Sequence, residues 1–191
     1  MAAHARHTVA DKRTRIVESA AKLVYERGFG RTSLADIARE SGVPLGNLYY
    51  YFKTKDAIGK ELIDRMASVY AAAREQWERG ATPKERLEAF IHGATETRDA
   101  LARRGCPVGS LCTELHKDGG PLARRATRLF EDFLKWTEAQ FRLMGKGADA
   151  RDLALQLIAA LQGVIVLANS FQDPRLVTRE SKRLTEWVRS L

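Results

Sequence analysis

Amide and phenol side chains stand next to two lysines in the first third of the chain. Asn47 precedes a run of three tyrosines at 49–51, and Lys53 and Lys55 follow directly. An amide side chain can pair with two atoms of an adenine edge, which discriminates that base by roughly 1–3 kcal/mol. Lysine binds phosphate without regard to base sequence. These residue types at this spacing predict contact with double-stranded nucleic acid.

The flanking residues predict two short helices joined by a tight turn. Ser33 can cap the first helix, with Asp36 three residues later as the second member of a capping box. Gly42 can end that helix because glycine adopts the left-handed conformation without strain. Pro44 can start the second helix, where its missing N–H costs nothing. Together these signals predict a helix-turn-helix whose second helix carries the polar cluster.

The side chains of the second helix divide between two faces. We expect Leu48 and Phe52 to face the core. Tyr50 is the strongest tyrosine candidate for DNA contact, Tyr49 has packing as an alternative role, and for Tyr51 the two roles are equally balanced.

The charge distribution supports an anionic partner. The 191 residues carry a net charge of +8, and residues 1–60 contribute +5 of it. Because 45% of the residues are apolar, the chain can also build a hydrophobic core. A basic composition alone is common among soluble proteins, so the charge is supporting evidence only.

Several other classes of protein are not indicated. The two cysteines do not form a disulfide framework. The histidines, cysteines and acidic residues show no metal-ligand spacing, and neither a glycine-rich nucleotide loop nor a nucleophile elbow occurs. The longest apolar run, 153–168, is interrupted by Gln156 and Gln162 and is predicted to be too short and too polar for a membrane span. We therefore expect a cytoplasmic protein without metal, cofactor, catalytic residues or membrane partner.

Apolar periodicity predicts an all-α fold with about nine helices and no strand. The first helix is expected from about residue 11 to 27, and a long helix from about 54 to 79. A capping box at Thr82 and Glu85 opens a helix that is expected to continue to Gly105. This pattern predicts a helix-turn-helix domain at 1–54 and a larger helical domain at 55–191.

The penultimate helix, predicted from about 149 to 171, is apolar around most of its circumference. Such a helix is either the central core helix or the face of a subunit interface. We favour the interface and predict a homodimer formed through the last two helices.

Aromatic residues of the larger domain are candidates for an apolar ligand site between helices. Plain core packing is the alternative for each of them. The aromatic candidates are Phe90, Phe130, Phe133, Trp136 and Phe141, and Cys106 and Cys112 complete the candidate ligand residues.

Cys106 is a second candidate for chemistry. It follows Arg103 and Arg104 at the predicted start of a short helix, a setting that favours the thiolate. Cys112 lies six residues later, so a disulfide within this helix is not expected. Cys106 has two alternative roles: sensing of oxidants or electrophiles, and packing as a small side chain.

The string from Thr32 to Ile58, T-S-L-A-D-I-A-x-x-S-G-V-x-x-G-N-L-Y-Y-Y-F-K-x-K-D-A-I, closely resembles the DNA-binding motif of the TetR/AcrR family of bacterial transcriptional regulators. The resemblance implies a homodimer that binds a near-palindromic operator and a small-molecule pocket whose occupancy weakens that binding. It implies phosphate contacts for Ser33 and Lys55. The full set of candidate DNA-contact residues is Ser33, Pro44, Leu45, Gly46, Asn47, Tyr49, Tyr50, Tyr51 and Lys55.

The leading hypothesis is thus a repressor released by a small hydrophobic or aromatic effector, with modulation by a thiol at Cys106 as an addition. One rival is a cysteine-based redox enzyme or thiol sensor that only happens to contain this motif. Another is an architectural DNA-binding protein with no effector pocket.

Overall fold

The computed structural model describes the backbone of residues 2–191 and the side chains of residues 11–191. Over this range the chain forms ten α-helices and one 3-10 turn, without strands, so the predicted all-α fold is confirmed. The helices are α1 Ala2–Arg27, α2 Leu34–Ser41, α3 Leu45–Tyr51, α4 Lys55–Trp77, α5 Pro83–Glu96, α6 Arg98–Arg104, α7 Pro107–Asp118, α8 Gly120–Leu143, α9 Ala150–Phe171 and α10 Arg175–Ser190. The 3-10 turn, Gly147–Asp149, directly precedes α9.

The helix predicted to run from Thr82 to Gly105 is divided into α5 and α6. Its capping box is present, since Thr82 Oγ1 accepts a hydrogen bond from the Glu85 N–H at 3.2 Å. At Thr97 the backbone leaves the helical region, with φ −102° and ψ 9°. The Thr97 hydroxyl donates to the Gly93 carbonyl at 3.0 Å, and such bonds from threonine compete with the helical ladder. This division accounts for the tenth helix.

The chain forms two compact units. The first comprises residues up to Met66 together with Leu111–Ala126, and the second comprises Ala67–Ser110 and Thr127–Leu191. Helices α4, α7 and α8 each have residues in both units. Compactness alone does not locate a functional boundary, so the boundary predicted after residue 54 stays a prediction.

In the first unit, α1 packs against α2, and α2 packs against α3. Apolar side chains from each of these helices are buried, among them Ile16, Ile37 and Leu48. Phe52, which follows α3, is buried as well, and the guanidinium of Arg13 lies 5.1 Å from its ring centre. The predicted inward orientation of Leu48 and Phe52 is therefore confirmed.

In the second unit, α10 packs against α5 and α9, and α6 packs against α9. Leu87, Phe141, Leu157 and Val188 are completely buried in the main core of this unit. A smaller cluster joins α6 to α9 through Leu101 and neighbouring side chains. The part of α9 that these helices leave uncovered exposes several large apolar side chains as well.

Helix α9 is longer than the apolar run that predicted it. Among the described residues, Gly147–Phe171 is the one helical segment that meets the length and composition of a membrane span, with a mean hydropathy of 1.8 in its most apolar stretch. The run at 153–168, which was expected to be too short, therefore lies within a longer helix that does reach this length. The core helix of a soluble protein meets the same criterion, so composition does not decide between the two.

Candidate nucleic-acid interface and ligand cavity

The start of α2 is stabilised by the predicted capping box. Ser33 Oγ accepts from the Asp36 N–H at 3.1 Å, and the Ser33 N–H donates to Asp36 Oδ2 at 3.0 Å. The hydrogen bonds from the Ser33 hydroxyl and backbone N–H lower the pKa of the Asp36 carboxyl from its usual value. The side chain of Ser33 is exposed, so the start of α2 is open to a ligand.

The turn between α2 and α3 uses the predicted glycine. Gly42 has φ +64° and its N–H donates to the last carbonyls of α2, which ends that helix. Pro44, with φ −52° and ψ 140°, occupies the N-cap position of α3. The helix itself therefore begins at Leu45. The Leu48 N–H donates to the Pro44 carbonyl at 3.0 Å and closes the first turn.

Helix α3 has one buried and one exposed face. Leu48 is fully buried, whereas Leu45, Gly46 and Asn47 are exposed. Gly46 allows close approach of a partner to the backbone of this exposed turn, and Asn47 beside it offers an amide.

The three tyrosines differ in exposure. Tyr50 is 77% exposed and Tyr49 is 45% exposed. Tyr51 is half-buried, and its ring meets the ring of Tyr50 edge-on at 5.3 Å between centres. Tyr50 is thus the freest to reach a partner, while Tyr51 supports its ring.

Lys55 is tied to the loop between α1 and α2. Its ammonium donates to the Gly30 carbonyl at 3.1 Å and lies 4.5 Å from the centre of the Phe29 ring. An ammonium has three N–H donors, so this bond leaves capacity for a phosphate.

The second unit contains a cavity of about 340 Å³ lined by residues of α4 and α8. This volume lies in the range of small-molecule sites. Two predicted ligand residues, Phe133 and Trp136, line it. The lining residues are Ala67, Ser68, Tyr70, Ala71, Arg74, Trp77, Leu129, Asp132, Phe133 and Trp136.

The other predicted aromatic residues lie outside the lining. Phe90 packs behind it, with its ring centre 5.8 Å from that of Trp136. Phe130 is half-buried, with its ring centre 6.5 Å from that of Phe133. Phe141 is completely buried in the main core and packs against Trp187.

The two cysteines also lie outside the cavity lining. Cys106 is half-buried, and its sulfur accepts a hydrogen bond from the Gly109 N–H at 3.4 Å. Cys112 is buried. Among the side chains at 11–191, no group of three or more histidines, cysteines or acidic residues is placed to hold a metal ion.

Residues of α4 are the part of the cavity that the sequence interpretation missed. Tyr70, Arg74 and Trp77 recur at spacings of four and three, which places them on one helix face. Glu78 accepts from the Trp136 indole at 3.0 Å and lies 3.6 Å from the Arg74 guanidinium. The mixture of aromatic and charged residues on one face is the signal that would have indicated them.

Two family models match this chain. The first, described as bacterial regulatory proteins of the tetR family, matches residues 16–62. The second, described as the C-terminal domain of LmrA/YxaF-like transcriptional regulators, matches residues 83–181, just over half of the chain. The chain belongs to the TetR family of transcriptional regulators.

Individual transcriptional regulators are similar to this chain over most of their length. An uncharacterised helix-turn-helix transcriptional regulator of Mycobacterium tuberculosis is 31% identical over 172 residues, which cover 84% of this chain and 86% of that protein. The transcriptional repressor DhaR of a Mycobacterium species, strain GP1, is 27% identical over 81% of this chain and 80% of its own. The crystal structure of a TetR-family regulator from Streptomyces coelicolor has a TM-score of 0.82 at 20% identity, covering 94% of each chain.

Membership of the TetR family makes the protein a DNA-binding regulator of transcription and not an enzyme. The rival hypothesis of a redox enzyme is therefore excluded. The region matched by the first model includes α2 and α3, the helix-turn-helix that the capping residues predicted.

Proposed function

We propose that the protein is a repressor whose homodimer binds near-palindromic operator DNA and dissociates when a small aromatic or hydrophobic effector occupies the α4–α8 cavity. The observation that carries this proposal is the exposed face of α3, where amide and phenol groups project above the buried Leu48. The relative DhaR, which is named a repressor, supports repression over activation.

The DNA contacts are assigned by chemistry and exposure. Asn47 makes the base-specific contact because its amide can pair with two atoms of adenine. Gly46 and the exposed Leu45 allow α3 to approach the bases closely, with Pro44 at the edge of the same surface. The three tyrosines contribute base and backbone contacts. Tyr50, which is the most exposed, contributes most, followed by Tyr49 and then by Tyr51. Ser33 and Lys55 contact phosphates.

The dimer is assigned to α9 and α10. The uncovered face of α9 exposes Leu155, Val166, Leu167 and Phe171. Burial of such side chains against a second copy removes them from water and lowers the free energy of the dimer. Burial in a dimer interface would account for the apolar character of α9 without a membrane. We therefore place the protein in the bacterial cytoplasm.

The effector is assigned to the α4–α8 cavity by its lining. Tyr70, Trp77, Phe133 and Trp136 offer ring surfaces for stacking, which suits a planar aromatic molecule. Arg74 and Asp132 are charged groups of the same lining and can orient a polar substituent.

DNA binding is tested with a palindromic fragment from beside the gene and with duplexes selected from a random pool. Wild type is expected to bind, with an affinity that falls as salt rises because phosphate contacts release counterions. Asn47→Ala is expected to lose roughly tenfold in affinity and to relax specificity at one base pair. Lys55→Ala is expected to weaken all duplexes alike and to reduce the salt slope. Wild-type affinity in both variants would show that the assignment of α3 is wrong.

A substitution that fills the α4–α8 cavity tests whether the effector binds there. Ala71 and its neighbour Ala72 are both exposed, but only Ala71 belongs to the lining. We expect Ala71→Trp to keep DNA binding but to block release by compounds from an aromatic panel that release wild type. Ala72→Trp is the matched control and should respond like wild type. If both variants respond alike, the effector binds elsewhere.

Thiol modulation is a separate proposal that rests on Cys106. Its half-buried sulfur accepts a hydrogen bond from the backbone N–H of Gly109, in the first turn of α7. Oxidant or an electrophile should weaken DNA binding of wild type but not of Cys106→Ser. If Cys106→Ser responds to oxidant like wild type, this role is wrong.

A further inference from the structure

A carboxylate of α7 holds the loop that joins α1 to α2. Glu114 Oε2 accepts a hydrogen bond from the backbone N–H of Phe29 at 2.7 Å. Glu114 Oε1 accepts one from the backbone N–H of Gly30 at 2.5 Å. The three residues belong to the same compact unit, although 84 positions of sequence separate Gly30 from Glu114. One side chain therefore satisfies two neighbouring amides of a distant loop.

Two glycines of the loop, Gly28 and Gly30, leave room for the Glu114 carboxylate. A Cβ atom at Gly30 would lie 2.9 Å from Glu114 Oε1, and one at Gly28 would lie 3.0 Å from Oε2. Gly28 also has φ +90°, which itself favours glycine. Gly30 lies outside the left-handed region, so a side chain at this position would not strain the backbone but would require the Glu114 carboxylate to shift.

The loop held by Glu114 is joined to both proposed phosphate contacts, since it is hydrogen-bonded to Lys55 of α4 and leads directly into Ser33. The Gly30 carbonyl accepts from the ammonium of Lys55 at 3.1 Å. The buried Thr32 donates its hydroxyl to the Gly28 carbonyl at 2.8 Å, and Ser33, the cap of α2, follows directly. A change in the position of this loop therefore moves Ser33 and Lys55 together.

We propose that Glu114 is a positioning residue for DNA binding, which acts by holding the loop at residues 28–32 and does not itself touch DNA. The proposal rests on the proposed function, because it needs α2, α3 and Lys55 to form the DNA interface. It also makes a counterintuitive prediction. Removing a negative charge from a DNA-binding unit raises DNA affinity through electrostatics alone, whereas loss of positioning lowers it.

Glu114→Gln is the main test, with Asp118→Asn as matched control. Both substitutions remove one negative charge from α7, but Asp118 is an exposed residue at the end of that helix. Affinity is measured by fluorescence anisotropy on a duplex selected from a random pool with wild-type protein. Glutamine keeps one acceptor oxygen, so we expect Glu114→Gln to lose roughly tenfold in affinity through one lost charge-assisted bond. Asp118→Asn should bind as wild type or slightly more tightly.

Hydrogen exchange at the two amides supplies a readout that general destabilisation does not. In Glu114→Gln, exchange at the Phe29 and Gly30 amides should accelerate while amides in the middle of α9 keep their wild-type protection. Gly30→Ala alters the same contact from the loop, because its Cβ would displace the Glu114 carboxylate without changing the net charge. We expect Gly30→Ala to weaken DNA binding in wild type but to have little further effect on Glu114→Ala, since both act through one contact.

The outcomes separate this proposal from the proposed function. If wild type selects no duplex, the DNA-binding assignment fails and the positioning role fails with it. If wild type binds and Glu114→Gln binds equally well or more tightly, only the positioning role is overturned. It is also overturned if affinity falls while both amides keep their protection. Should Glu114→Gln be unfolded at the assay temperature, Gly30→Ala decides: wild-type affinity in that variant overturns the proposal.

Discussion

The exposed faces of α3 and α9 are similar in exposure and opposite in chemistry. Tyr50 on α3 is 77% exposed, and Phe171 on α9 is 70% exposed. The α3 face combines a phenol with the amide of Asn47, groups whose hydrogen bonds depend on direction. The large side chains of the α9 face are mostly hydrocarbon, and removal from water favours their burial.

This difference indicates two kinds of partner for one chain. A surface of directional donors and acceptors next to lysines suits a patterned polar ligand such as the base edges of DNA. A surface of aliphatic and aromatic side chains suits an equally apolar surface, which a second copy supplies under twofold symmetry. The degree of exposure thus marks a face as available, whereas its chemistry indicates the partner.

The largest effect is expected from a charge on the α9 face. Val166→Glu places a carboxylate where the dimer would bury it, and an unpaired buried charge costs several kcal/mol. We expect the dimer to dissociate, measured by analytical ultracentrifugation, and operator binding to fall by roughly a hundredfold or more. Leu143→Glu is the matched control, because Leu143 is 65% exposed and Val166 is 64% exposed. If both variants stay dimeric, α9 is not the interface.

A smaller effect distinguishes the two faces of α3. Leu48→Ala removes a fully buried side chain and should lower the free energy of unfolding by about 2–5 kcal/mol. Leu45→Ala removes a side chain that is 39% exposed and should change it by about 0.5 kcal/mol or less. Urea denaturation measures both. Equal losses would contradict the orientation of α3.

The tyrosine hydroxyls test the DNA side of the comparison more finely. Tyr50→Phe keeps the ring and removes one hydrogen-bonding group, so the expected loss of binding free energy is about 0.5–1.5 kcal/mol. Tyr51→Phe should cost less, because the Tyr51 ring is half-buried against Tyr50. Operator titrations at one fixed salt concentration measure both. A larger loss in Tyr51→Phe would reverse the assigned roles.

The smallest effect concerns the cap of α2 and its dependence on pH. Since hydrogen bonds from Ser33 lower the folded-state pKa of Asp36, its stabilising contribution is present above the unfolded pKa. That contribution is lost as pH falls through the lower, folded-state pKa. The stability difference between wild type and Asp36→Asn should therefore shrink on acidification, as thermal unfolding between about pH 7 and pH 3 would show. Ser33→Ala should weaken this dependence, and an unchanged profile would contradict the assigned cause.

The sequence by itself determined the helix-turn-helix, because the interactions that define it are local. The capping bonds between Ser33 and Asp36 span three residues, and Gly42 ends α2 through its own backbone conformation. The spacing of Leu48 and Phe52 likewise indicated which face of α3 is buried. Such features depend on neighbours within one or two helical turns, so residue order alone reveals them.

Only the tertiary structure decided which distant side chains meet. Phe133 and Phe141 share α8 and an aromatic side chain, yet one lines the cavity and the other is completely buried in the core. Tyr70 and Trp77 join the cavity because α4 contributes to the same lining as α8. Glu114 holds the Phe29 and Gly30 amides across more than eighty residues of sequence. Contacts of this kind depend on how whole helices pack, and helical periodicity shows which face is apolar but not which partner that face will meet.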